Sequence, residues 1–270
     1  MDSQAMKIAT YNINSIRSRI EPLKSWLERH KPDVLCIQET KVQDDEFPLD
    51  AFDNTGYEIV FRGQKKYNGV AIFSRLPLEE IELELPNDPL QEARFLKAKV
   101  GKITIVNTYI PQGQDVESEK FRYKLEYYRL LQSYFSSRFS PKKDPLIWCG
   151  DLNAALEPID VYDPDGLWGH VCYCKEVKEE FEKVLKWGFV DLFRRFHPEG
   201  GHFTFWDYRI PNAVKRNLGW RLDYILATEP IAKTCKDCWI DLEARQAEKP
   251  SDHTFLVADF NLHPPLLQKQ

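Results

Sequence analysis

Leu146-Ile147-Trp148-Cys149-Gly150-Asp151-Leu152-Asn153 is a short apolar run that opens onto an acid and an amide. Apolar residues in succession, without alternation, mark a strand covered on both faces. The polar residues after Gly150 then mark its end. Val34-Leu35-Cys36-Ile37 is built the same way and runs through Gln38 into Glu39-Thr40-Lys41. A third polar string, Ser251-Asp252-His253, stands beside the apolar run Phe255 to Phe260. Strand ends brought together by a sheet are a natural place to hold a hard metal ion and a phosphate. If the three strings meet in space, they predict a metal-dependent phosphodiesterase.

On either side of these strings the chain alternates β-rich runs with a few amphipathic helices. Strands are expected over Lys7 to Ile13, Arg221 to Ala227, Cys235 to Asp241 and Phe255 to Phe260. Two hairpins are expected, Tyr57 to Phe61 with Gly69 to Phe73, and Phe95 to Val100 with Ile103 to Tyr109. Helices are expected from Pro22 to Arg29, from Ser118 to about Phe139, and from about Lys175 to Trp187, where Gly188 stops the last. Strands in both halves with a few long helices suit two packed sheets flanked by helices. No Pro/Gly/Ser-rich linker interrupts the 270 residues, so a single domain is expected over 1–270. Met1 to Ala5 reads as an extension before a natural start at Met6, and 264–270 as a tail.

No stretch approaches the ~20 apolar residues of a membrane span. The short polar Met1 to Ala5 is unlike a secretory leader, so an intracellular protein is expected, in the cytoplasm or nucleoid if prokaryotic. A formal net charge of −5 argues against a broadly basic nucleic-acid coat but leaves room for one basic groove. Arg17, Arg19, Lys41, Arg62, Lys65, Lys66, Arg122, Lys124, Arg209, Lys215 and Arg216 are its candidates. Cys172-x-Cys174 with Cys235-x-x-Cys238 has the makings of a zinc site or a disulfide, yet the C-x-C half is poor zinc spacing and free thiols are expected.

The candidate chemistry sits at the strand ends. Glu39 is a carboxylate of the kind Mg²⁺ takes, one or two at a time with water and phosphate. Asp151 and Asn153, two apart on an extended chain, are expected to face one side, the acid taking a proton from water and the amide holding it. Asn12 and Asn14 repeat that spacing at the end of the first strand. Each pair reads equally as a local Asx turn. His253 needs an acid to orient its ring, and Asp223 is the expected partner. Tyr109, at another strand end, offers a hydroxyl to a phosphate. Phe203-Thr204-Phe205-Trp206 and Gly219-Trp220-Arg221-Leu222 bracket a loop with Arg209, Lys215 and Arg216, and aromatic faces beside arginine suit an extruded or terminal nucleotide.

Six strings, Tyr11 to Arg17, Pro32 to Lys41, Tyr109 to Gly113, Gly150 to Asn153, Gly219 to Tyr224 and Ser251 to His253, together resemble the exonuclease III family of abasic-site endonucleases, in that family's order. The resemblance implies a four-layer α/β sandwich. It implies Mg²⁺-dependent hydrolysis of double-stranded DNA 5′ to an abasic site, leaving a 3′-hydroxyl, with 3′→5′ exonuclease activity and removal of 3′ blocks. Mn²⁺ is an expected substitute, and the enzyme is expected to act as a monomer. By position, Glu39 is the main metal ligand, with Asn14 and Asp252 close by. Asp151 activates water and Asn153 positions it. His253, held by Asp223, contacts the phosphate, with Asn12 and Tyr109 assisting. Phe205, Trp220 and Leu222 match the walls of the sugar pocket, with Trp206 and Arg209 alongside, while Arg17 and Lys41 match the DNA face.

Two other readings share some of these motifs. One is a phosphodiesterase or phosphatase of the wider superfamily acting on inositol phosphates or lipids. The other is a non-catalytic protein that binds damaged DNA.

Overall fold

The computed structural model describes residues 4–262. In spatial order, the first sheet runs β11 (Cys235–Asp241), β12 (Phe255–Leu262), β1 (Gln4–Asn12), β2 (Val34–Gln38), β4 (Val70–Ser74) and β3 (Glu58–Arg62). The second runs β5 (Glu79–Glu82), β6 (Phe95–Val100), β7 (Ile103–Tyr109), β8 (Leu146–Asp151), β10 (Asp223–Thr228) and β9 (Phe189–Asp191). Each sheet is mixed, with a parallel pair at its centre, β1 with β2 and β7 with β8.

The sheets pack face to face. Ile8, Cys36, Ile72 and Ala258 of the first meet Ile105, Cys149, Ile225 and Ala227 of the second in a core from which solvent is excluded. Alternate residues of the same strands point outward to helices. Ala9, Leu35, Ile37 and Phe73 pack with Leu23, Trp26 and Leu27 of α1 (Ile20–His30). Val106, Trp148 and Tyr224 pack with α2 (Glu119–Arg138) and α4 (Lys175–Lys186). This explains why the central strands read as unbroken apolar runs. The result is the expected four-layer α/β sandwich.

Short helices α3 (Pro164–Leu167), α5 (Leu192–Phe196) and α6 (Glu229–Ala232) complete the connections. Ser118 caps α2 by accepting the Phe121 N–H at 3.1 Å. In α1, Leu23, Trp26 and Leu27 share one face, and the Trp26 ring stacks on Phe255 at 3.8 Å. Among the described residues, no helix is long and apolar enough to cross a membrane.

Several expectations change. Strand β1 starts at Gln4, which pairs with Leu262, so Gln4 and Ala5, expected in an extension, form part of the sheet. The expected tail 264–270 lies outside the described residues. Strand β10 begins at Asp223 because Arg221 turns aside, its N–H donating to Asp160 O at 2.8 Å. Strands β5 and β9 had no sequence expectation. The six cysteines are buried free thiols. Cys172 and Cys174 lie in the outer core under α2 and α4, whereas Cys235 and Cys238 lie in the core between the sheets, so the two motifs do not meet.

Candidate active site

The two parallel pairs end at the same side of the sandwich. Asn12 closes β1, Glu39 follows β2, and Tyr109 and Asp151 close β7 and β8 opposite one another in register. Asp223 opens the antiparallel β10 directly beside Asp151. Beyond the strands the backbone bends sharply. Asn14, Glu39, Lys41 and Asn153 adopt positive φ of 46°, 53°, 55° and 49°. Asparagine tolerates this left-handed region, but glutamate and lysine occupy it at some cost, a form of strain that clusters at functional sites. Gly150 (φ +136°) is required where β8 passes β7, because a Cβ there would lie 2.0 Å from Thr108 O. Gly69 plays the same part for the Lys41 turn, where a Cβ would lie 1.9 Å from Thr40 Oγ1.

Asn12 joins the sheets. Its fully buried amide donates to Glu39 Oε1 and to Asp151 Oδ2, both at 2.8 Å. Asp151 Oδ1 accepts the Asn153 N–H at 2.9 Å. His253 Nδ1 lies 2.7 Å from Asp223 Oδ2, and its Nε2 lies 3.6 Å from Asp151 Oδ2. Ser251 Oγ donates to Asn12 O at 2.7 Å and accepts the His253 N–H at 3.2 Å, fixing the third string to the end of β1. Asn14 Nδ2 donates to Asp252 Oδ1 at 2.9 Å. Lys41 Nζ lies 2.8 Å from Glu39 Oε2 and also donates to Asn14 Oδ1.

These groups line a small cavity of about 230 Å³. Glu39, Asp151, Asp252 and His253 form its polar side, and Phe205, Trp220 and Leu222 its apolar side. Phe205 and Trp220 exchange backbone hydrogen bonds of 2.9 Å. Thr204 Oγ1 accepts the Leu222 and Asp223 N–H groups at 3.0 and 3.1 Å. The apolar wall is therefore tied to the residue that orients His253.

Burial raises the Asp151 carboxyl, the His253 charge opposes this, and Asp223 and Glu39 add to the rise, leaving it at about 7. Burial works against the His253 charge, but Asp223 and then Asp151 outweigh it and lift the imidazole to about 10. Burial also pushes Glu39 upward, yet the Lys41 ammonium and the Asn12 amide prevail and hold it below its ordinary value. Near neutral pH the site thus contains an imidazolium, an ionised Glu39 and an Asp151 poised to exchange a proton.

The structure brings Asn12, Glu39, Tyr109, Asp151, Asn153, Asp223, Asp252 and His253 together, with Asn14 bound to Asp252. Left-handed Asn14 and Asn153 break the extended chain and both pairs form the Asx turn, Asn12 Oδ1 accepting the Asn14 N–H at 3.0 Å, while Asp151 and Asn153 nevertheless both line the cavity. Asn153 uses one amide hydrogen on Ile110 O at 2.9 Å. Trp206, expected beside the pocket, is buried in a separate small core with Phe203 and Ala213. Its neighbour Phe205 alone turns to the cavity, as alternation along an extended segment requires. Arg209 reaches the rim, where it pairs with Asp207, and Arg17 pairs with Glu46 on the surface. Lys124 is not a groove cation: it is fully buried and donates to Gln112 O, Asn153 O and Val171 O at 3.1, 2.7 and 2.6 Å. His170, Cys172 and Asp207 also line the cavity; no local pattern marked His170 or Asp207, and Cys172 was marked only as a thiol of the C-x-C pair.

Glu39, Asp252 and Asn14 present oxygen donors, the type that Mg²⁺ and Mn²⁺ take. Two of these oxygens, Glu39 Oε2 and Asn14 Oδ1, already converge on the single positive charge of Lys41. The residues therefore fit a small divalent cation.

The endonuclease/exonuclease/phosphatase family model matches residues 9–253. Exodeoxyribonuclease III of Haemophilus influenzae is 32% identical over 94% of this chain and 100% of its own. The structure of an AP endonuclease from Archaeoglobus fulgidus superposes with a TM-score of 0.93 at 47% identity, covering 95% of this chain and 100% of that one. A 3′ phosphatase from Neisseria, solved with a product DNA hairpin, superposes at 0.89 with 35% identity, covering 95% and 99%. With the family model spanning most of its length, a full-length exodeoxyribonuclease III relative and the two-sheet fold in common with these structures, the chain belongs to the endonuclease/exonuclease/phosphatase family, in the exonuclease III branch.

Proposed function

We propose that this DNA repair nuclease hydrolyses the phosphodiester 5′ to an abasic site in double-stranded DNA, leaving a 3′-hydroxyl, and that it also removes 3′ blocks and terminal nucleotides. The observation that carries the reading is the Asn12 bridge. It sets Glu39 of one sheet and Asp151 of the other at 2.8 Å from one amide, beside an imidazole paired with Asp223. Oxygen ligands, a proton-exchanging acid and a cationic donor are what in-line attack by water on a phosphodiester requires.

Asp151 takes the proton from the attacking water. Its position near 7 allows the carboxylate form at neutral pH while keeping the group basic. Asn153, whose side chain keeps one N–H and acceptor capacity beyond its bonds to Ile110 O and Cys172 Sγ, steadies that water. His253 donates from Nε2 to a phosphate oxygen, because Asp223 holds Nδ1 and keeps the ring charged. Tyr109, its hydroxyl against Glu39 and its ionisation suppressed by burial, donates to another. Glu39, with Asn14 and Asp252 close by, would hold Mg²⁺ or Mn²⁺, which supplies charge neutralisation at the phosphate and the leaving oxygen. Arg17 and Lys41 belong to the DNA face in this scheme. The protein acts as a monomer.

Selection of abasic DNA rests on the apolar wall. The cavity, about 230 Å³, is smaller than the usual range of ligand sites, suiting a base-free sugar between Phe205, Trp220 and Leu222. The relative solved as a 3′ phosphatase supports 3′-end removal by the same site. End-labelled duplexes carrying an abasic analogue, uracil, a 3′-phosphate or no lesion, each with Mg²⁺ and with EDTA, test the proposal. Cleavage 5′ to the abasic analogue is expected with Mg²⁺ and not with EDTA. Equal cleavage of intact and abasic strands, or phosphate release from inositol phosphates without DNA cleavage, would reject it.

A further inference from the structure

Helix α5 ends at Phe196 and is capped by His197, whose N–H bonds to Phe193 O at 2.9 Å, and the chain turns back through Pro198-Glu199-Gly200-Gly201 to His202. Glu199 Oε1 lies 3.6 Å from His197 Nδ1 and 2.9 Å from His202 Nε2. One ligand atom from each residue lies within 4.8 Å of the other two. Both imidazoles pack on Phe193, one stacked at 4.6 Å and one edge-on at 5.7 Å.

The scaffold holds this loop in place. Arg194 Nη1 donates to His197 O at 3.0 Å and Glu199 O at 2.6 Å, and Asn217 Nδ2 donates to Gly201 O at 2.8 Å. Asp160 pairs with Arg194 and so offsets its charge at the loop. The backbone carrying all three side chains is thus braced by bonds that a metal ion need not make.

We propose that His197, Glu199 and His202 form a zinc-binding site, separate from the catalytic cavity. Two imidazoles and one carboxylate are the ligand set of an open Zn²⁺ site with water in the fourth position. Nitrogen donors favour Zn²⁺ over the Mg²⁺ suited to the oxygen donors around Glu39. All three side chains are partly exposed, which leaves a path for the ion and room for water. None of them lines the catalytic cavity. The site lies just ahead of Thr204 and Phe205, so zinc here ties the end of α5 to the segment that forms the apolar wall.

The test uses the full chain, stripped with chelator and kept in excess Mg²⁺ to occupy the oxygen site. Zn²⁺ is titrated against the thermal midpoint, and Co²⁺ against its visible absorption. The wild type is expected to rise in Tm with Zn²⁺ and to develop the intense bands of nitrogen-ligated, four-coordinate Co²⁺. His202→Ala is expected to lose both responses. Glu199→Gln, a near-isosteric change at an exposed position, is expected to lose them too and guards against a folding defect in the first variant. Glu39→Gln is expected to keep both. Absence of both responses in the wild type would leave only a histidine–glutamate contact and overturn the proposal. So would responses that survive in Glu199→Gln, or that vanish only in Glu39→Gln.

Discussion

Two buried charge clusters lie side by side along the approach to β10, and they are balanced differently. In the first, Asp160 meets Arg221 Nε at 2.7 Å, pairs with Arg194, and accepts the Glu157 N–H at 3.0 Å, while Asp191 takes Arg221 Nη1 at 2.8 Å. Two acids face two permanent cations. Burial raises Asp160, but Arg221 and Arg194 prevail and hold its carboxyl below the ordinary value. In the second, two residues further along, Asp223 and Asp151 share one imidazole with Glu39 nearby, and Asp151 is pushed up to about 7. A buried acid matched by guanidinium holds the fold together. A buried acid in excess of its cations is held in readiness for proton transfer.

The largest expected effect tests the second cluster. Asp151→Asn should lower cleavage of abasic duplex by about 10²–10⁴-fold without lowering the thermal midpoint, because it removes an acid whose charge the fold opposes. A clear fall in that midpoint would erase the distinction between the clusters.

Asp160→Asn should do the reverse. Leaving buried guanidinium groups without their acid costs about 3–5 kcal/mol, read by urea unfolding, while the folded enzyme keeps its cleavage rate within a few-fold. If stability is untouched and cleavage collapses, Asp160 belongs to the active site instead.

Stability against pH should bend in opposite directions for the two. Asp160 titrates lower in the folded chain than in the unfolded one, so its contribution is full above the ordinary carboxylate range and is lost as pH falls through its lowered value. Asp151 titrates higher when folded, so between about 4 and its folded value of about 7 the folded chain holds the extra proton and stability falls as pH rises. Thermal melts from pH 3 to 8 should show Asp151→Asn flattening the upper window and Asp160→Asn the lower. Parallel profiles for both variants and wild type would refute the assignment.

Smallest is the effect on discrimination. Trp220→Ala should reduce the preference for abasic over intact DNA by roughly tenfold, with less change in the rate on abasic DNA. Equal losses on both substrates would mean that the wall supports chemistry and does not select.

Much of the frame was legible because continuous apolar runs have one physical meaning. Val34 to Ile37 and Leu146 to Cys149 are covered on both faces, and the polar residues after them had to be strand ends. Phe95 to Val100 and Ile103 to Tyr109 form the expected hairpin residue for residue. Edge strands were not legible: Glu79–Glu82 is charged and half exposed, and Phe189–Asp191 is too short for a pattern. At the site, Glu39, Asp151 and the Asp223–His253 pair were readable as residues, but the reason offered for the asparagine pairs was wrong. Strand alternation fails there because the Asx turn, the other reading of these pairs, wins at both Asn12–Asn14 and Asp151–Asn153, while Lys41 and Ile110 hold the asparagine side chains. Lys124 and Trp206 were misplaced because charge and aromaticity do not tell which face of an element is covered.

Residue identity, local periodicity and motif order were enough for the succession of the strands other than Glu79–Glu82 and Phe189–Asp191, for the family, and for the chemical types of a nuclease site. Packing between distant segments is what sets one amide between Glu39 and Asp151, raises one buried acid while another is paired with guanidinium, and turns Phe205 but not Trp206 to the cavity. Those outcomes depend on burial and on distances between residues far apart in the chain, as with the 139 positions that separate Asn12 from Asp151.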